Sequence, residues 1–158
     1  SKHYRAVDER LALPDLGQPL PVSTRPQTVL VPVRSLNRAV VRALSYARSI
    51  TADVTALHVT DSLEETDKLR EQWDHWAGDV PLVVIESPYR SFTQPILSYI
   101  DAVEDHDPET LITVILPEFM PSHWWQAPLH NQDALRLKAA LLFRKDTVVT
   151  DVPQHFDD

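Results

Sequence analysis

Residues 28–33 read Thr28-Val29-Leu30-Val31-Pro32-Val33, and Leu36, Ala39, Val40, Ala43, Leu44 and Ala47 follow at helical spacing. A short, continuous, β-branched run suits a strand covered on both faces, as in a parallel sheet. The change from that run to a period near 3.6 marks a strand feeding a helix, with Ser35 as the predicted N-cap. The same alternation repeats outward along the chain. Asp53–Val59 is the second strand, and Ser62 with Glu65 forms a capping box for a charged helix. Leu69, Trp73 and Trp76 share one face of that helix, and Gly78 ends it. Leu82–Glu86 is the third strand. Ser91 or Thr93 caps the next helix, whose buried stripe is Ile96, Leu97, Ile100 and Val103. Leu111–Leu116 is the fourth strand, and Pro117–His130 reads as a long loop rich in proline and aromatics. Asn131 is placed to cap a last helix that is apolar nearly all round, and Thr147–Val152 is the fifth strand. Strand–helix alternation of this kind predicts an α/β fold with a doubly wound, parallel, five-stranded sheet and helices on both faces.

Composition narrows the functions open to this fold. The chain has 158 residues, of which 43% are hydrophobic, enough for one domain with a single core. A formal net charge of -8 argues against a nucleic-acid groove, which requires a basic face. No cysteine is present, which removes thiolate nucleophiles, disulfides and cysteine metal sites. The longest apolar runs, Leu82–Ile85 and Leu111–Leu116, fall far short of the ~20 residues that cross a bilayer. No apolar segment near Ser1 suggests a secretory signal. Two glycines against 13 prolines leave almost nothing from which to build a glycine-rich phosphate loop.

Residues 1–26 differ from the remainder. Lys2-His3-Tyr4-Arg5 is basic, and Pro14, Pro19, Pro21 and Pro26 favour an extended chain. They are read as a tether, leaving 27–158 as the folded domain; the alternative is a merely disordered N-terminus.

Several longer stretches resemble known proteins. Thr28–Val33, RAVVRALSYAR at 38–48 and DVTALHVT at 53–60 resemble the first half of a universal stress protein. KLREQWDHW, VPLVVIESPYRSFTQPILSYID and TVILPEFMPSHWWQAPLHNQDALRLKAALLF are similar to the C-terminal cytosolic domain of amino acid–polyamine–organocation (APC) superfamily permeases. That group includes amino acid permeases and potassium importers of the KUP/KimA kind. The resemblance implies a universal-stress-protein-like, Rossmann-like sheet with strand order 3-2-1-4-5. It implies a cytoplasmic domain joined to a transmembrane transporter, with the basic start just after the last membrane helix. It also implies cyclic di-AMP, an inhibitor of potassium uptake of this general kind, as a candidate regulatory ligand. The chain departs from ATP-binding universal stress proteins in two places. Arg34 stands where they carry an acidic residue, and Pro117–Trp125 contains no glycine. ATP binding is therefore not carried over.

The candidate ligand residues lie where the carboxyl ends of parallel strands place them. Arg34, Asn37 and Arg38 follow the first strand, where helix N-terminal amides favour an anion; the alternative is solvated surface arginine. Tyr89 and Arg90 follow the third strand. Arginine clamps a phosphate in bidentate fashion and tyrosine stacks on a base; alternatively Arg90 ties down its own loop. His123, Trp124 and Trp125 either stack a nucleobase, dock on a partner, or fold back over the sheet edge. Seven histidines show no tight ligand spacing, so no metal and no cofactor are predicted, and His58 reads as a hydrogen-bonded core residue. Glu86 and Glu118 end neighbouring strands as a nominal carboxylate pair, but without base, metal or pocket they read as loop anchors. No catalytic signature is present, so no enzyme is predicted.

Assembly follows from the fifth strand. Thr147–Val152 lies at a sheet edge in the 3-2-1-4-5 order and carries no lysine or proline to blunt it. The helix before it carries more apolar surface than one sheet face buries. Leu135, Leu142, Phe143, Thr147, Val149 and Val152 are the predicted contacts of a two-fold homodimer; the alternative is that the tether or the loop carrying Trp124 and Trp125 covers that edge within one chain. The resemblance, taken with this assembly, implies a regulatory and dimerisation domain of an APC-type transporter for potassium or amino acids. The alternatives are a purely structural dimerisation domain without ligand, and a stand-alone ATP-binding stress protein.

Overall fold

A computed structural model describes residues 9–13, 17, 19–87, 91–120 and 131–155. The element order is β1 (Gln27–Pro32), α1 (Arg38–Ile50), β2 (Val54–Thr60), α2 (Leu63–Trp76), β3 (Leu82–Glu86), α3 (Thr93–His106), β4 (Leu111–Met120), α4 (Asn131–Leu142) and β5 (Thr147–His155). All strand pairings are parallel, in the order β3-β2-β1-β4-β5. The predicted α/β class and strand order are both present.

Period-two alternation in β1 divides the core into two layers. Val29, Val31 and Val33 face α1 and α2, packing with Val40, Ala43, Leu44, Ala47, Leu69 and Trp73. Leu30 points the other way, joining Leu57, Ile112, Val114 and Leu116 beneath Ile96 and Ile100 of α3 and Leu137 and Leu141 of α4. The chain winds outward from β1 through β2 to β3, then returns to β4 and β5. With one crossover hand, that reversal places α3 and α4 on the face opposite α1 and α2.

Local details correct the sequence reading at several points. Asn37, not Ser35, caps α1: its side-chain oxygen accepts from the Val40 N–H at 3.0 Å. The loop runs two residues longer because Leu36 turns in to pack on the core. Ser62 does cap α2 by accepting from the Glu65 N–H. Its own N–H donates to Thr60 Oγ1 at 2.9 Å, so the reciprocal half of the box is replaced by a threonine from the strand. Neither Ser91 nor Thr93 caps α3; Phe92 holds that position with no side-chain bond.

The two tryptophans of α2 separate sharply. Trp73 is 2% exposed and donates its indole N–H to the Val80 carbonyl at 2.8 Å. Trp76, the last helical residue, is 70% exposed and lines a shallow hollow with Val41, Leu44 and Val80. Gly78 follows the helix end as predicted; a Cβ there would lie 3.0 Å from the Asp74 carbonyl oxygen.

The far strands are longer than predicted. β4 continues through Pro117 to Met120, and β5 pairs with it through Pro153, with Glu118 opposite Pro153 and Met120 opposite His155. Proline is tolerated in β5 because that strand is a sheet edge, where one side of the backbone has no ladder to join. Arg144, just after α4, bonds Asp101 and reaches Glu104 at 3.1 Å, tying α4 to α3. The Asp101 bond is the main cause that raises the Arg144 pKa above its ordinary value. Lys138 of α4 pairs with Asp151 of β5.

The chain just ahead of β1 is also anchored. Arg25 donates to the Glu109 carbonyl at 3.0 Å and pairs with Asp146 at 2.9 Å, while the Pro26 carbonyl accepts from the Leu111 N–H at 2.8 Å. Asp146 itself has a positive φ of 59°, a left-handed conformation that aspartate tolerates better than most residues. Ahead of Arg25, the side chains of Leu11, Leu13, Leu20 and Val22 are exposed. No helix among the described residues is long and apolar enough to cross a membrane.

Candidate functional site

Parallel strands bring their carboxyl ends to one edge of the sheet, and binding sites of such folds gather there. Here that edge carries a cavity of about 370 Å³ over the ends of β1, β2 and β3, lined by Arg34, His58–Asp61, Glu65, Ser87, Ser91 and Phe92. Its size falls within the range of small-molecule sites.

The walls are built from adjacent strand ends. Val33 closes β1 against β2 through its N–H to the Leu57 carbonyl at 2.8 Å. Ser87 closes β3 against β2 through its N–H to the Thr60 carbonyl at 2.9 Å. Thr60 turns the chain into α2, donating its hydroxyl to the Ser62 carbonyl at 2.9 Å. Arg34 sets its guanidinium over the Phe92 ring, 5.6 Å from the centroid, which holds a long cation flat against one wall. Asp61 and Glu65 bring two carboxylates to the same lining. A smaller hollow of about 270 Å³ shares Thr60, Asp61 and Ser87 and adds Ser62, Leu63 and Glu86.

His58 is the buried polar member, 5% exposed in the middle of β2. Its Nδ1 lies 3.0 Å from the Val33 carbonyl, as a hydrogen-bonded core histidine requires. Its Nε2 is buried and has no hydrogen-bond partner among the described residues. The sequence identified the first bond's character but not the second nitrogen, because only the folded sheet shows what faces it.

The predicted ligand residues divide. Arg34 lines the cavity. Asn37 spends its side chain on the α1 cap, and Arg38 is the exposed first residue of that helix. Tyr89, Arg90, His123, Trp124 and Trp125 lie outside the described residues. Residues that sequence reasoning missed are Thr60, Asp61, Ser87 and Phe92; their signal is position, just at or beyond the ends of β2 and β3. The nominal carboxylate pair does not exist as neighbours. Glu86 ends β3 and Glu118 lies in β4, with β2 and β1 between them, so about three strand spacings of ~4.8 Å separate their strands. No cluster of three or more histidine and carboxylate groups suited to a metal occurs among the described residues.

On the opposite end of the sheet order, the predicted contact residues also sort by position. Leu135, Leu142 and Phe143 are exposed, the last by 92%. Val152 is buried in the first core layer, Val149 packs against the second, and Thr147 is half-buried. The apolar residue that β5 exposes is Val148, at 45%.

A family model described as the KimA potassium transporter C-terminal domain matches residues 24–154. The potassium transporter KimA of Bacillus subtilis (strain 168) is 32% identical over 156 residues, covering 98% of this chain and 25% of that protein. The chain thus spans about a quarter of the relative's length.

Proposed function

Because the chain belongs to the family of KimA potassium transporter C-terminal domains, we propose that it is the cytoplasmic regulatory and dimerisation domain of a potassium importer, with cyclic di-AMP as the ligand it senses. The cavity at the carboxyl ends of β1–β3 carries this reading. It combines a cation held on an aromatic ring, Arg34 over Phe92, with buried polar groups at the edge where nucleotides enter doubly wound sheets. The role is binding, not catalysis, and the partner is the protein's own transmembrane domain. Potassium, not an amino acid, is the proposed cargo, after the relative's name.

Calorimetric titration of the 158-residue domain tests the ligand. Cyclic di-AMP releases heat and saturates one site per chain, whereas ATP does not, since no glycine follows β4 to let backbone amides approach a triphosphate. Arg34→Ala weakens cyclic di-AMP by about 1.5–3 kcal/mol, the usual loss of one charge-assisted bond. Unchanged affinity in a folded variant removes Arg34 from the site.

A second reading keeps the dimer and drops the ligand. It is favoured by the lining charge among the described residues, where Asp61 and Glu65 set two carboxylates beside Arg34. Absence of heat with every adenine nucleotide decides for it.

A further inference from the structure

Of the helices α1 to α4, α1 alone carries no aspartate or glutamate, in a chain whose formal net charge is -8. Its buried stripe, Ala39, Val40, Ala43, Leu44 and Ala47, packs on the sheet. With about 3.6 residues per turn, the opposite side of the helix presents Arg38 and Arg42, both exposed. Neither has an ion-pair partner among the described residues. Arg48 reaches Asp79 at 3.6 Å, but both side chains are more than half exposed, so the pair holds it weakly. Exposed apolar and aromatic groups flank these cations: Val41 and Tyr46 of α1, and Trp76 at the end of α2. Trp76 shares a hollow of about 320 Å³ with Val41 and Arg48, which places its ring on the α1 side of its own helix. With Trp73 buried, helical geometry turns Asp67, Glu71 and Asp74 to the flank of α2 away from Trp76. Glu65 shares the Trp76 flank but lines the cavity, about three turns away.

Resting on the transporter reading above but not on any ligand, we propose that the outer face of α1 lies on an anionic lipid surface. Arg38 and Arg42 meet lipid phosphates, and Trp76 and Tyr46 sit at the level of the headgroups, where amphipathic rings gather. An acidic protein would also satisfy the arginines. The lipid surface is favoured because a domain joined to a transmembrane domain is held within reach of it before any other partner arrives.

The test sediments the 158-residue chain at low salt with vesicles of phosphatidylcholine alone, or of phosphatidylcholine mixed equally with phosphatidylglycerol. The chain partitions to the mixed vesicles only, and added salt releases it. The double variant Arg38→Gln, Arg42→Gln lowers the partition coefficient about thirtyfold, since each arginine near a charged surface counts for about fivefold. Arg136→Gln, which removes an exposed charge from α4 on the other face of the sheet, leaves it nearly unchanged. Equal binding to both vesicles, binding to neither, or an equal loss in Arg136→Gln overturns the proposal; the transporter reading rests on the family match and survives each of these. Binding to soluble polyglutamate but not to vesicles assigns the face to an acidic protein and overturns the lipid surface. Lipid brominated in the upper acyl chain quenches the wild-type tryptophan fluorescence, and Trp76→Phe, altered at a ring largely in solvent, loses part of that quenching. Quenching that Trp76→Phe leaves unchanged overturns the placement of this face on the bilayer.

Discussion

Replacing Trp73 by phenylalanine isolates what one indole contributes to the β2–α2–β3 corner. Phenylalanine keeps an aromatic ring in the first core layer but removes the N–H that reaches the Val80 carbonyl at 2.8 Å. Val80 is itself 4% exposed, so water does not replace the donor easily. Leaving that carbonyl unpaired costs about 1–3 kcal/mol. The volume lost is only part of a full truncation to alanine, which costs about 3–5 kcal/mol, so the smaller ring adds roughly 1 kcal/mol. The sum, about 2–4 kcal/mol, lowers Tm by roughly 5–15 °C in a domain of this size. Trp76→Phe is the matched control, since that ring is largely in solvent. It changes stability by less than about 0.5 kcal/mol. Urea unfolding followed by far-UV circular dichroism measures both, with an unchanged slope required for comparison. Equal losses in the two variants, or a Trp73→Phe variant as stable as wild type, refute the reasoning.

Val148→Lys tests the proposed dimer, because Val148 is the valine that β5 exposes. Sedimentation shows the wild type dimeric at tens of micromolar and the variant monomeric with an unchanged melt, a concentration taken as an order of magnitude from transient affinities; a wild-type monomer refutes the dimer, and a variant that stays dimeric moves the interface elsewhere. Val149→Lys is the wrong probe, since that side chain packs in the second core layer. Asn37→Ala loses the α1 cap and costs about 1 kcal/mol by chemical denaturation, while Ser35→Ala leaves stability unchanged; the reverse order of effects refutes the cap assignment.

The sheet was legible because its signal is local. Each strand is a short apolar run, each helix an amphipathic period, and the constant crossover hand leaves few ways to join them. The Trp73–Trp76 pair shows where that reading ends. Both lie close to one helical stripe with Leu69, but α2 stops at Trp76, and the stripe outlasts the core beneath it. The Ser62 cap held, but the Ser35 cap failed for a related reason. Ser35 and Asn37 are both good cappers, and the choice was made by Leu36 turning inward, a tertiary event. The cavity was legible only at Arg34. It joins residues 34, 58–61, 65, 87, 91 and 92, far apart in sequence, and includes a buried histidine whose Nδ1 bonds the Val33 carbonyl while its Nε2 has no partner among the described residues.

The anchoring of Arg25 and Pro26 determines how tension in the preceding chain enters the domain. A pull ahead of Arg25 meets first the Asp146 carboxylate and the Glu109 carbonyl, at the start of β5 and β4. If those yield, the load passes along the axis of β1, which is hydrogen-bonded to β2 on one side and β4 on the other. Strands loaded along their length share the force over all their ladder bonds at once, whereas an edge strand pulled sideways opens bond by bond. A pull on the residues ahead of Arg25 is therefore received by the central strand of the sheet, where shear over two ladders resists it better than peeling at an edge would.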